Sequence, residues 1–268
     1  MKFLKTLLFL LAGLIAGVAG ATEVVRVGGV GSLTPLMRLL IADYVRNNPA
    51  VEVQLIHPPV GSSGGMRALA AGKLDVALLG REAKPEEKGV GQTWLKTPLL
   101  LATSGGKARR LSRNDLADIF SGKRTTWDDG KPIRLVLRGQ HESETTMLRK
   151  LSPAVDTAVT AAIARNAGPI AENDLEAMQM ISSIAGSLGS TTLGLMLTES
   201  RAIDILAIDG IRPDSKKLEN QDYPWYRDYY LFLNDQPSAT VRSFVSYLNS
   251  PAALSIARKY AYLPLATK

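Results

Sequence analysis

Gly61-Ser62-Ser63-Gly64-Gly65 is the stretch on which the fold turns. Ahead of it, Val51, Val53 and Leu55 alternate with Glu52 and Gln54, the period of a half-buried strand running to Ile56. Behind it, Met66, Leu69 and Ala70 stand at helical spacing, and Gly72 is placed to end the helix. The reading is strand, Gly/Ser loop, helix start. Such a loop offers hydroxyls, close backbone approach and free N–H groups at the positive end of a helix, the makings of an anion site.

Working outward, the same order recurs. Val24–Val27 reads as a strand, and Gly28–Thr34 as a second loop of glycines and hydroxyls. Pro35 suits the first turn of the following helix, where its missing N–H costs nothing. Leu36, Leu40 and Tyr44, with Met37, Ile41 and Val45, form that helix's apolar face. A further strand is predicted over Val76–Leu79. This β-loop-α-β-loop-α-β order predicts a parallel sheet with crossover helices. Sheets of that kind bind ligands outside the carboxyl ends of their strands, where both loops sit.

Downstream, Leu99–Thr103 reads as a strand, and Ser112 opens a helix with Asp115 three residues on. Ile133–Leu137 is a strand ending at Arg138, followed by a polar loop and a hydroxyl-rich helix start over Ser143–Thr146. Helices are predicted over Pro153–Arg165, Asn173–Ile184, Ala239–Asn249 and Pro251–Tyr260. Short strands are predicted over Leu193–Leu197, Ile205–Ile208 and Tyr229–Leu233.

The 268-residue chain is long enough for two α/β lobes, and 46% hydrophobic with 21% charged residues is a globular composition. Residues 1–21 read as a signal peptide. Lys2 and Lys5 make the positive start, Leu7–Val18 the short apolar run, and Ala19-Gly20-Ala21 the cleavage site, with Thr22 as the mature start. No later stretch is apolar enough to span a bilayer. The chain has no cysteine, which excludes disulfides, thiolate metal sites and a lipid anchor on Cys. A free periplasmic protein is expected. Removing Lys2 and Lys5 lowers the formal charge from +7 to +5, without the clustered basic run of a nucleic-acid binder.

Three strand–loop–helix junctions therefore carry hydroxyls: Ser32 to Thr34, Ser62 to Gly65, and Ser143 to Thr145, the last after Arg138. Three helix N-termini and a guanidinium suit a tetrahedral oxyanion. The plain alternative is that each Ser or Thr is an ordinary N-cap. Arg81, after the Val76–Leu79 strand and Gly80, stands at the same sheet edge and reaches either the ligand or a surface carboxylate. The opening motif also matches G-x-S-x-G with Ser63 at its centre, a nucleophile-elbow pattern. A serine hydrolase needs a base, and only His57 and His141 exist, neither in a supporting order. Two histidines so far apart without cysteine argue against a transition-metal site. No cofactor is expected.

The chain resembles the periplasmic phosphate-binding proteins of ABC transporters, in the type II periplasmic binding protein superfamily. The resemblance is carried by GSSGGMRALAAGKLDVAL, by GVGSLTPLMRLLIADY and by LSRNDLADIFSGKRTTWDDGKPIRLVLR. DYPWYRDYYLFLN and FVSYLNSPAALSIARKYAYLPL extend it over nearly all of the mature chain. It implies a two-lobed α/β fold, each lobe a mainly parallel sheet flanked by helices. Expected lobes are residues 22–102 with 205–268, and 103–204. It further implies a monomeric, non-enzymatic solute-binding protein that carries phosphate or a similar oxyanion to a transporter permease, with no nucleic acid involved. The implied ligand contacts are Ser32, Leu33 or Thr34 in the first loop, Ser62 with Gly64 in the GSSGG motif, Arg138, and Ser143 with Thr145; Arg81 joins them as a candidate. Two departures stand out. Glu144 replaces the glycine of the family's Ser-Gly-Thr triplet, and Gly80 followed by Arg81 stands where some relatives place an Asp. A carboxylate beside phosphate is repulsive unless a proton intervenes or the side chain points away. The same fold used as a sensor, attachment protein or scaffold is the alternative.

Overall fold

The structure is a computed structural model that describes residues 23–105 and 110–265. The expected signal peptide and its cleavage site lie outside the described residues.

The first half follows the expected order. β1 (Glu23–Gly29) leads through a 3₁₀ turn (Gly31–Leu33) into α1 (Thr34–Asn47), with Pro35 in its first turn. β2 (Val51–Leu55) exposes Glu52 and Gln54 and half-buries Val51, Val53 and Leu55. α2 (Gly61–Ala70) and β3 (Val76–Leu79) follow. One expectation shifts: Gly61–Gly65 is not a loop but the first turn of α2, and the loop lies one step earlier, over residues 56–60. The glycines explain this. Gly61 enters the helix at φ +69°, and a Cβ on Gly65 would stand 3.3 Å from the Gly29 Cα, so the helix rests directly on β1.

β4 (Val90–Thr103) is far longer than the expected Leu99–Thr103. β5 (Arg110–Leu111) and α3 (Arg113–Ser121) follow, the latter with the expected capping box of Ser112 and Asp115 and a left-handed Gly122 at its end. The single strand expected over Ile133–Leu137 divides into β6 (Arg134–Leu135) and β7 (Leu137–Arg138), because Val136 bonds to Leu188 while Leu137 turns to Pro169. Next come α4 (Ser143–Arg149), α5 (Pro153–Ala164), β8 (Ile170–Ala171) and α6 (Asp174–Ser183). β9 (Ser187–Thr192) was not expected, and Leu193–Leu197 is not a strand but lies in α7 (Leu193–Thr198). The small residues of β9 hide its strand character. All are buried, and a Cβ on Gly189 would meet Ile181 of α6 at 2.7 Å. β10 (Asp204–Ile208), α8 (Ser215–Glu219), β11 (Tyr226–Leu233), α9 (Ala239–Leu248), α10 (Pro251–Lys259) and β12 (Leu263–Pro264) complete the chain.

β4 belongs to both halves of the molecule. Its beginning pairs with β11 in the order β2-β1-β3-β11-β4, with β12 alongside. Its end pairs with β9 and β10, which lead on to β6 and β5. β1 runs parallel to β2 and β3, while β11 is antiparallel to β3 and β4. One core gathers Val25, Leu36, Tyr44, Trp94, Tyr229 and Phe244; another gathers Leu116, Phe120, Trp127, Val159, Leu188 and Leu206. This is the type II periplasmic binding protein fold, two α/β lobes with a crevice between them. Among the described residues, no helix is long and apolar enough to cross a membrane.

Candidate anion site between the lobes

The helices sort into two kinds by how they begin. α3, α5, α6, α7, α8, α9 and α10 each start with a Ser, Thr, Asn or Asp whose side chain accepts from first-turn N–H groups. α1, α2 and α4 start at Leu33, Val60 and Glu142, and none has a side-chain cap. These are the three helices that follow the hydroxyl-bearing junctions. The hydroxyls there are not caps, so the plain N-cap reading fails at all three. First-turn N–H groups stay available in α2 and α4, whereas in α1 the Thr34 N–H donates to the Gly31 carbonyl and Pro35 has none to give.

At the first junction Ser32 is buried, and its N–H, Oγ and carbonyl all have partners, with the hydroxyl proton left to donate. Its N–H donates to Asp174 Oδ2 at 2.7 Å, its Oγ accepts from Arg227 Nη1 at 3.0 Å, and its carbonyl accepts from the Tyr262 hydroxyl at 2.7 Å. Leu33 turns its side chain into the core, and Thr34 is buried as the first residue of α1. At the second junction the Ser62 Oγ accepts from the Gly80 N–H at 3.0 Å, which leaves its own proton to donate. Gly64 sits half-buried in α2, where a Cβ would clash with Val60 at 2.7 Å. At the third junction Thr145 Oγ1 donates to the Arg138 carbonyl at 3.3 Å, so its proton is spent inside its own corner. Ser143 is half-buried on the crevice wall near Gly80 and Tyr226.

Two guanidiniums and two carboxylates meet among these groups. Arg138, Glu144, Asp174 and Arg227 are all buried. Arg227 Nη1 donates to Glu144 Oε1 and lies 3.4 Å from Asp174 Oδ1. Arg138 lies 3.7 Å from Asp174 Oδ1 and 3.9 Å from Glu144 Oε2, and donates to the half-exposed Glu142 at 3.1 Å. The cluster bridges the lobes: Ser32 and Arg227 come from the first, and Arg138, Glu144 and Asp174 from the second. Arg138 Nε, Arg227 Nε and Glu144 Oε2 are buried without a hydrogen-bond partner in the structure. Burial pulls the Arg227 guanidinium below its ordinary pKa, and Arg138 pushes the same way. Burial pushes the adjoining Tyr229 and Tyr262 hydroxyls up, and Tyr262 donates to the Ser32 carbonyl as a neutral hydroxyl. A cavity of about 200 Å³ opens against Gly31, Val60, Gly61, Arg138, Asp174 and Arg227.

Arg227 also accounts for Gly80. A Cβ on Gly80 would lie 2.2 Å from Arg227 Nη2, so the room that a side chain would take is filled by a guanidinium from β11. Arg81 stands outside the cluster. Its guanidinium holds Glu87 bidentately at 2.8 and 2.7 Å and donates to Ser63 Oγ at 3.1 Å. It has taken the surface carboxylate, one of its two expected partners. Ser63 is exposed beside this pair rather than beside a histidine, and the hydrogen bond of exposed His141 joins Gln140.

The structure thus brings Ser32, Ser62 and Arg138 around one charged centre. It leaves Arg81, the Leu33 side chain and the Thr145 proton outside it. Sequence reasoning missed Arg227 and Asp174. Arg227 did carry a signal, because it alternates with Tyr229 and Leu231 on the buried face of its strand. Asp174, in the first turn of α6, reads as an ordinary complement to the helix dipole.

Two lobes around a charged, helix-lined crevice are the architecture of periplasmic binding protein domains. The chain belongs to the PBP superfamily, whose domain profile matches residues 16–252. The phosphate-binding protein PstS of Bacillus subtilis is 21% identical over 255 residues, covering 91% of this chain and 82% of its own. A Clostridium perfringens protein described as a phosphate ABC transporter substrate-binding protein, with phosphate bound, superposes with a TM-score of 0.77 at 17% identity. The match covers 91% of this chain and all of that one. An ABC-type phosphate transport receptor from Vibrio cholerae gives a TM-score of 0.63, also at 17% identity, over 89% of this chain and 99% of its own. At such identities the structural likeness speaks for the fold.

Proposed function

We propose that this protein captures inorganic phosphate or a related oxyanion between its lobes, outside the cytoplasmic membrane, and delivers it to the permease of an ABC transporter. The carrying observation is that the three uncapped helices are the three at the hydroxyl-bearing junctions, beside two buried guanidiniums with unused Nε donors. In this reading Arg138 and Arg227 hold the anion by charge-assisted bonds, and Ser32 and Ser62 donate their hydroxyls. Thr34, Gly64, Ser143 and Thr145 shape the helix starts around it. The relatives' names point to the same ligand and to a transporter partner. Export with cleavage after Ala21 completes the reading. In this reading the chain first crosses inside β4 and returns between Ile208 and Tyr226, later than the expected residue 205, which the packing of Leu206 and Ile208 in the second core supports.

Calorimetry on protein beginning at Thr22, titrated with phosphate, sulfate, molybdate and tungstate, tests this. Saturable heat with at least one anion is expected, and heat with none of them would refute it. Glu144, turned into the crevice, favours a second reading in which the scaffold senses or attaches rather than transports. Genes for a permease and an ATPase beside this one would decide for transport.

A further inference from the structure

The crevice already contains anions, and they belong to the protein. Asp174 Oδ2 takes the Ser32 N–H, a donor where the 3₁₀ turn leads into α1, at 2.7 Å. Glu144 takes Arg227, the guanidinium whose room Gly80 provides. Both carboxylates come from the lobe opposite the groups they engage. The Ser32 N–H and the Arg227 Nη1 of the first-lobe wall are thereby matched by carboxylates of the second, while the Ser62 hydroxyl and Arg227 Nε are not.

We propose that Glu144 and Asp174 are built-in occupants of the anion seat, which hold the two lobes together and set how tightly an incoming oxyanion is held. The proposal rests on the oxyanion-binding reading above. Of the two ways for Glu144 to avoid repelling phosphate, a proton or a side chain pointing away, it removes the second. The physical argument is charge balance. Two guanidiniums facing two buried carboxylates are neutral, and the half-exposed Glu142 on Arg138 adds a third negative charge, so neither lobe surface needs an external anion to approach the other. A doubly charged oxyanion added to that set meets two buried negative neighbours, and like charges at contact distance repel far more strongly in a buried site than in water. The incoming anion must therefore take the Arg227 or Ser32 donors from a carboxylate, and its observed affinity is reduced by the stability of the internal contact. Glu144 is the member better placed to yield. Its Oε2 has no hydrogen-bond partner, whereas both Asp174 oxygens face donors.

The test combines small-angle X-ray scattering with calorimetry using inorganic phosphate. The unaltered protein is expected to keep one radius of gyration with and without saturating phosphate; compaction on adding phosphate would overturn the proposal. Glu144→Gln and Glu144→Gly, checked for native circular dichroism, are expected to expand without phosphate, to compact with it, and to bind it at least about tenfold more tightly. Unchanged compactness together with unchanged or weaker affinity in either folded variant would overturn it while leaving the binding reading intact. Absence of heat from any oxyanion, in the unaltered protein and in both variants, would instead remove the binding reading and the proposal with it.

Discussion

The two corners that face each other across the crevice, Gly61–Gly65 and Ser143–Thr145, look alike in sequence and spend their polar groups differently. Both follow a strand, both begin an uncapped helix, and both carry hydroxyls. At the first, Ser62 accepts from Gly80 and keeps a proton to donate. At the second, Thr145 gives its proton to the Arg138 carbonyl, and the next residue back, Glu144, puts a carboxylate into the crevice. One wall is a donor surface. The other carries a cation, Arg138, wrapped in acceptors. The lesson is that a hydroxyl-rich helix start is an anion site only if its hydroxyl is not already donating at home.

The harshest way to break this pairing is to remove one cation. Arg227→Ala strands Glu144 and Asp174 in a buried setting and should cost about 3–5 kcal/mol of stability in urea unfolding, as expected when one member of a buried charge cluster is lost. Arg138→Ala should cost about 2–5 kcal/mol of oxyanion affinity by calorimetry; near-native affinity would take Arg138 out of the site. Gly80→Ala probes the same contact from the other side. Its Cβ displaces the Arg227 guanidinium, and a loss of about 1–3 kcal/mol in stability is expected.

A finer cut separates the two corners themselves. Ser62→Ala removes the acceptor of a buried N–H, a cost of about 1–3 kcal/mol, and should also weaken oxyanion binding. Thr145→Val removes only a bond to the local carbonyl, so stability should fall by about 1 kcal/mol with affinity unchanged. Equal effects on affinity would erase the contrast. The smallest effect is expected at Arg81→Ala, about 1 kcal/mol or less in stability because the pair is only partly buried and still screened by solvent, with affinity unchanged. Its pH dependence has a definite sign. Arg81 holds the Glu87 carboxyl below its ordinary pKa of 4.5, so the pair's stabilisation is present above that value. It should disappear as pH falls through the lowered value, where the variant and the unaltered protein converge.

Much of this molecule was legible before any coordinates. β2, α1, β3 and the capping box at Ser112 follow from period, Pro placement and side-chain chemistry within a few residues. The elements that escaped are those whose neighbours decide them. β9 is a strand of small residues because α6 lies against it at Gly189, and β4 is long because β11 pairs along its first half. Arg227 could have been suspected from its place in an alternating strand, but not its destination.

The sequence by itself determined the order of strands and helices through β3, the three hydroxyl-bearing junctions and the family they resemble, because these are written in local spacing. Only the tertiary structure decided which junction keeps a free proton, why position 80 is a glycine, and that carboxylates enter the anion seat. The reason is distance along the chain. Ser32 meets Asp174 across 142 residues and Arg227 meets Glu144 across 83, and a buried charge is defined by what it faces rather than by what precedes it. Gly61–Gly65 named the crevice; the opposite wall determines what the crevice accepts.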